Sequence, residues 1–312
     1  MSPLIKKGEK IGPFVIDDEI KSGGMASVYK VSSMHNEIFA MKMSRIDRTI
    51  DRNEYNRQAI RGEAELLSNL AHPRIVKVFP IPAEDARHKN VKRYYANAFR
   101  IDGRPWYFVM EYLRGDTLHM HIKRNGPLMV SEAANIIGNI GLGLNYLYSC
   151  NFSHNDLKAE NIVFRSVIEK GKVFDPVLID FGTAAGAVKI KDEAGTYYVM
   201  PPERISIASG IQPPETLIDP LPAEVWSLGV LLYQCLTCKV PFSSNNLRTL
   251  SSQVLKDKPL SMRKYNDNIP VEFDEFVIEN CLCKEPKYRP TIKEVLHFLS
   301  DYGRGAVVAV SA

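Results

Sequence analysis

Residues 153–161 read S-H-N-D-L-K-A-E-N. Within these nine positions stand a histidine (His154), an acid (Asp156), a lysine (Lys158) and an amide (Asn161). An acid can orient a hydroxyl and accept its proton, a lysine can neutralise charge on oxygen, and an amide oxygen can hold a hard metal ion. A loop that transfers a phosphoryl group needs those three capacities together. The residue between His154 and Asp156 is a neutral Asn155, and that neutrality needs its own explanation.

The surrounding chain sets the frame. Its 312 residues are enough for one large domain or two lobes with real cores. Hydrophobic residues make up 45% and charged residues 24%, ordinary for a soluble globular protein. A net charge of +4, from 40 basic and 36 acidic residues, is too mild to indicate nucleic-acid binding. No apolar run approaches the ~18 residues of a membrane span, and no apolar stretch follows Lys6 and Lys7 as a secretory signal requires. An odd set of cysteines (Cys150, Cys235, Cys238, Cys281 and Cys283) without such a signal points to reduced thiols in a cytosol. The pairs C-L-T-C and C-L-C lie in or at the end of apolar, helix-like segments with no histidine nearby. Structural thiols fit them better than zinc.

Outward from the opening stretch, the first third reads as strands. P-F-V-I-D-D-E-I-K, S-V-Y-K-V-S-S and E-I-F-A-M-K-M-S are short, rich in β-formers and separated by Gly or Asn. A helix over about 53–70 carries Ile60, Leu67 and Leu70 on one stripe. Glu63 shares that face whereas Glu65 lies well round it, so Glu63 points inward and requires a cation. H-P-R-I-V-K-V-F and R-P-W-Y-F-V-M-E-Y read as two more strands. From about 116 helices dominate. One has Ile137, Ile140, Leu144 and Leu147 on one face with Ser131 as its expected N-cap. L-P-A-E-V-W-S-L-G-V-L-L-Y-Q-C-L is apolar nearly all round and reads as a central buried helix. Thr291 and Glu294 stand at capping-box spacing after Pro290. Residues 81–104 interrupt the strands with basic residues and tyrosines. A solvated β-hairpin extension is the plainer reading, and a docking site for an acidic partner is the sharper one.

With these motifs in order, the chain resembles the protein kinase superfamily over about 15–302, and in particular its bacterial Ser/Thr members with a residue other than arginine before the catalytic acid. The resemblance implies an α+β fold with a small β-rich N-lobe (about 15–112) and a larger helical C-lobe (about 113–302). An extension at 1–14 and a tail at 303–312 flank them. It assigns I-K-S-G-G-M-A-S-V (20–28) to the glycine-rich loop over the nucleotide, with Ile20, Gly23, Gly24, Val28 and Ala40 lining that site. Lys42 would take the α- and β-phosphates, with Glu63 as its partner. V-M-E-Y-L (109–113) would be the hinge, Met110 the gatekeeper, and the backbone of Glu111 and Leu113 the adenine contacts. In L-I-D-F-G, Asp180 would hold magnesium together with Asn161. Asp156 would be the catalytic base and Lys158 the stabiliser of the transferring group. P-P-E ends the activation segment, and Arg289 is the expected partner of Glu203. The implied reaction is transfer from ATP, with Mg²⁺, to Ser or Thr of a protein substrate in the cytoplasm.

Four departures qualify the pattern. Asn155 stands where many members carry an arginine that holds a phosphorylated activation-loop residue, and it cannot make that charge-assisted pair. The segment after Asp180 has few hydroxyls: Thr183, Thr196, Tyr197 and Tyr198. The expectation is an activity that does not require activation-loop phosphorylation. Lys21 and Ala26 replace two glycines of the loop, and Glu224 replaces the usual Asp before V-W-S. Two rival functions share much of this: a nucleotide-binding pseudokinase scaffold, and a small-molecule kinase of the aminoglycoside or choline kinase type. Lys158, P-P-E and Arg289 speak against the second, and the presence of Lys42, Glu63, Asp156, Asn161 and Asp180 against the first.

Overall fold

The computed structural model describes residues 5–82, 92–168, 174–182, 197–211 and 219–303. Contacts divide the chain into two compact units, Met1–Arg114 with Asp180–Ala185, and Gly115–Ile179 with Gly186–Ala312.

The first unit is built on one antiparallel sheet. Its strands are β1 (Lys10–Ile11), β2 (Phe14–Ser22), β3 (Ala26–Ser33), β4 (Ile38–Ser44), β5 (Val78–Phe79), β6 (Ala96–Asn97) and β7 (Trp106–Glu111). The order is β1-β2-β3-β4-β7-β5, with β6 also paired to β7. Period-two alternation sorts the side chains. Phe14, Ile16, Val31, Met41, Met43 and Val109 fill one core. Helix α1 (Ile50–Ser68) buries Ile60, Glu63, Ala64 and Leu67, the stripe expected from an i, i+3, i+4, i+7 pattern. H-P-R-I-V-K-V-F yields a strand only at Val78–Phe79, because Ile75 N–H bonds back to His72 in a turn. Of the 81–104 interruption, Ile81 bridges Arg93 and β6 joins the sheet. Tyr95 there stacks on Trp106 with centroids 5.2 Å apart, so that tyrosine is packed rather than solvated.

The second unit is mainly helical: α2 (Leu118–Asn125), α3 (Val130–Ser149), α4 (Pro202–Ala208), α5 (Leu221–Thr237), α6 (Leu247–Lys256), α7 (Val271–Glu275) and α8 (Ile292–Ser300). A hairpin of β8 (Ile162–Phe164) and β9 (Pro176–Leu178) lies among them. α5 is buried on every side from Ala223 to Thr237, as its continuous apolar run requires. Its Trp226 is wholly buried, a burial that contributes about 3 kcal/mol. α8 opens with the Thr291–Glu294 capping box. One expected cap is corrected. α3 is capped at Met129, not Ser131, because Glu132 reaches back to the Met129 N–H at 2.9 Å and starts the helix one residue before Ser131.

Candidate active site

In the first unit, alternation along β4 sends Met41 and Met43 into the core and Ala40 and Lys42 to the opposite face. Lys42 Nζ lies 2.7 Å from both Glu63 carboxylate oxygens and 2.8 Å from Asp180 Oδ1. The Phe181 N–H donates to Glu63 Oε1 at 3.0 Å, and the Phe181 ring is buried. Asp180 takes a left-handed backbone, φ +65°, which aims its carboxylate at the lysine. Burial by itself lowers the Lys42 pKa, but the charges of Asp180 and Glu63 outweigh it and hold the ammonium well above its ordinary range. Burial pushes the Glu63 carboxyl up, and Lys42 works against that push. Glu65 instead pairs with Arg61 at the surface.

The β2–β3 turn carries the glycine-rich loop. Gly23 N–H donates to the Ala26 carbonyl at 2.9 Å, closing the turn. Arg45 clamps it from β4's end: its Nη1 donates to the Gly23 carbonyl and its N–H to the Met25 carbonyl, both at 2.8 Å. Ile20 sits at a bulge, since Glu19 faces Tyr29 and Lys21 faces Val28. Ala40 pairs with Met110, and both are buried. Glu111 and Lys77 exchange two bonds at 2.9 Å, N–H to carbonyl and N–H to Oε1, which commits the Glu111 amide to the sheet. Leu113 follows β7 and is half-buried.

In the second unit the 153–161 stretch folds on itself. The His154 ring is wholly buried, with Nε2 3.2 Å from the Ile179 carbonyl and Nδ1 3.4 Å from the Asp156 N–H. The ring ties the loop to the residue preceding Asp180. Asp156 Oδ2 accepts from Lys158 Nζ at 2.8 Å and from Asn161 Nδ2 at 3.1 Å. Asn161 Nδ2 also donates to the Asp156 carbonyl at 2.9 Å. Asp156 Oδ1 and Asn161 Oδ1 are buried and without a hydrogen-bond partner among the described residues. Two orphaned hard oxygens in one loop are what a hydroxyl donor and a magnesium ion would satisfy, so the residues present fit that metal.

Supports surround the loop. Asn155, at φ +64°, gives its N–H to Glu224 Oε1 at 2.7 Å and accepts from both arms of Arg204. The longer stem of Glu224 therefore reaches the loop backbone with one oxygen, while its Oε2 has no partner among the described residues. Arg289, 0% exposed at its side chain, grips Glu203 through two bonds of 2.8 and 2.7 Å. Tyr198 Oη donates to Glu160 Oε2 at 2.9 Å, and burial raises the phenol pKa well above its ordinary value.

The structure thus brings Lys42, Glu63 and Asp180 into one cluster and Asp156, Lys158 and Asn161 into another. Thr183 and Thr196 lie outside the described residues. Sequence reading missed Arg45, Glu160 and Arg204. The only signal for Arg204 was a charge directly behind the P-P-E segment, in a short apolar helix.

Comparison with known proteins identifies the family and the fold. The protein kinase domain model matches residues 14–299, and the chain belongs to that family. Among curated relatives, serine/threonine-protein kinase PrkC of Bacillus subtilis (strain 168) is 27% identical over 290 residues, covering 90% of this chain and 39% of that protein. Serine/threonine-protein kinase PLK4 of Drosophila ananassae is 28% identical over 297 residues, 93% of this chain and 33% of that protein. The chain therefore spans well under half the length of these relatives. Among solved structures, Rad53 1–466 in complex with AMP-PNP superposes with a TM-score of 0.66 at 23% identity. It covers 91% of this chain and 64% of that one, a likeness of fold.

Proposed function

We propose that this chain is a Ser/Thr protein kinase that moves the γ-phosphoryl group of ATP to a protein hydroxyl. The observation that carries this reading is the state of Asp156. One carboxylate oxygen is held by Lys158 and Asn161, and the other is presented without a partner among the described residues. That is the posture of a group waiting for a hydroxyl proton.

In this reading the substrate oxygen attacks the γ-phosphorus, the bond from that phosphorus to the bridging oxygen of ADP breaks, and the hydroxyl proton passes to Asp156 Oδ1. Lys158, fixed beside Asp156, stabilises charge on the transferring oxygens. Lys42 anchors the α- and β-phosphates, and Glu63 keeps it in place. The Gly24–Met25 tip of the turn, braced by Arg45, offers backbone N–H groups to phosphate. Ile20, Val28, Ala40, Met110 and Leu113 flank the adenine. Asn161 and Asp180 would hold magnesium, which supplies positive charge against the phosphate oxygens when bound.

Activity is expected without activation-loop phosphorylation, since Asn155 already has its partners. Replacing Thr183 with Val and Tyr197 and Tyr198 with Phe together should leave transfer within about threefold, and abolished transfer in a folded triple variant would reject this. No described helix is long and apolar enough to cross a membrane, and all five cysteines are free thiols; a cytosolic site of action suits both. Exposed Lys92, Arg93 and Arg100 make the 81–104 region suited to an acidic protein segment.

The reading is tested by incubating the protein with ATP and Mg²⁺ and following intact and peptide mass, with Asp180→Asn as control. Phosphate on Ser or Thr in the wild type alone supports it. Nucleotide binding without transfer to the protein itself or to a peptide panel would leave a scaffold instead.

A further inference from the structure

Asn155 is gripped from both sides. Its N–H donates to Glu224 Oε1 at 2.7 Å. Its carbonyl accepts from Arg204 Nη1 at 3.0 Å and its side-chain Oδ1 from Arg204 Nη2 at 2.6 Å. One guanidinium therefore reads the backbone and the side chain of the same residue, a fork that a lysine cannot reproduce. Arg204 is only 7% exposed and lies on the short helix α4, beside the buried Pro202 and Ile205. Burying a cation there is costly, and an apolar residue would serve the packing of α4 at least as well. The carboxylates of Glu224, Glu203 and Asp156 act favourably on it, and Arg289 acts against it.

Residue 155 is matched to that cation. A neutral oxygen acceptor fits the fork, whereas an arginine at 155 would set two guanidiniums within bonding distance of one another. Asparagine also tolerates the φ of +64° that the turn demands. The turn leads directly into Asp156.

We propose that Arg204 is a positioning residue for Asp156, locking the Asn155 turn against Glu224 so that the catalytic loop is held in its working shape by an internal cation. This rests on the kinase reading above and gives it a physical cause for independence from an activation-loop phosphate. The group that fixes the loop comes from helix α4 and is permanent.

The test compares the full chain with Arg204→Ala, Arg204→Lys and Asn155→Gly. For each, kcat and the KM for ATP are measured with a peptide substrate, together with hydrogen exchange of peptides spanning 153–161 and α5. Arg204→Ala should lose about 10- to 100-fold in kcat with the KM for ATP nearly unchanged, the scale of a misplaced catalytic group. Its 153–161 peptide should exchange faster while α5 stays protected. Arg204→Lys should recover little of the loss. Asn155→Gly keeps the backbone half of the fork and tolerates the left-handed turn, so it should fall between; it also keeps the test decisive if Arg204→Ala does not fold. Wild-type kcat with unchanged exchange in folded Arg204→Ala would overturn the proposal, as would loosening spread equally into α5. If the wild type transfers no phosphate, the kinase reading fails on its own, and the exchange comparison still decides whether Arg204 fixes the loop.

Discussion

The Lys42 ammonium stands equidistant from both oxygens of the Glu63 carboxylate, 2.7 Å from each. The Glu63 side chain is 3% exposed. A carboxylate that deep depends on its cation. Removing the lysine leaves the carboxylate leaning on the Phe181 N–H, 3.0 Å from Glu63 Oε1.

Lys42→Met should therefore destabilise the first unit by up to about 3–5 kcal/mol at neutral pH. Part of that cost is avoided if Glu63 takes up a proton. The sign follows from the direction of the shift: burial raises the folded pKa of Glu63 above its unfolded value. With Lys42 gone, the folded state holds the extra proton. Stability is then greatest below the ordinary glutamate pKa and falls as pH rises through the folded one. Urea titrations of Lys42→Met from pH 4 to 8 should show that decline, and Lys42→Met/Glu63→Gln should flatten it. A flat profile in the single variant would contradict the argument.

Arg289 provides the second expectation. Its fork spans both Glu203 oxygens and its Nη1 also reaches the Pro222 carbonyl at 2.7 Å, with the guanidinium itself out of water. Glu203→Ala should cost about 3–5 kcal/mol because a buried guanidinium loses its counter-charge. Arg289→Lys should cost a large part of the same, since an ammonium cannot span two oxygens. Thermal unfolding of both variants measures this.

A third concerns Gly115, whose N–H donates to the Phe164 carbonyl at 3.0 Å. A Cβ placed there would sit 2.5 Å from the Phe164 and Ser166 carbonyl oxygens. Both are backbone atoms of the segment that leads away from the 153–161 loop, so neither can swing aside. Gly115→Ala should destabilise by at least about 1–3 kcal/mol, outweighing alanine's lower chain entropy in the unfolded state. Gly62→Ala is the control, because nothing lies within 4 Å of its Cβ position and its helical backbone suits alanine, so that change should cost nothing.

The thiols should separate by depth. Cys235 and Cys281 are wholly buried, and burial pushes the Cys281 thiol up to about 12. Cys238 is exposed at the left-handed end of α5. A maleimide should label Cys238 rapidly in the folded protein, faster as pH rises because the thiolate is the nucleophile. Cys235 and Cys281 should label only on unfolding. Cys281 packs beside Gly229 of α5, and its early labelling in the folded protein would contradict that burial.

Much of this was legible in sequence because the chemistry is local or periodic. Glu63 could be picked over Glu65 from helix geometry alone, since three residues from Ile60 and four from Leu67 fix a face. The Thr291–Glu294 cap is a four-residue signal. The Met129 cap was not legible, because the helix start is set by the Glu132 side chain reaching a backbone N–H, and Ser131 carries the commoner capping chemistry. Arg45 and Arg204 were hidden for another reason. Each reaches a backbone carbonyl far along the chain, Gly23 for Arg45 and Asn155 for Arg204, and a carbonyl acceptor leaves no residue-type signature. Asn155 could be seen to lack a charge, but what replaces it comes from residues 49 and 69 positions away, Arg204 and Glu224.

The measurement that bears most directly on the account is single-turnover phosphoryl transfer from ATP to a Ser-containing peptide, paired with calorimetric ATP–Mg²⁺ affinity, for the wild type and Asp156→Asn. The account predicts similar affinity for the two and transfer slowed about 10²- to 10⁴-fold in the variant, the usual contribution of a positioned base. Equal transfer by both proteins, or none by a wild type that binds the nucleotide, would contradict it.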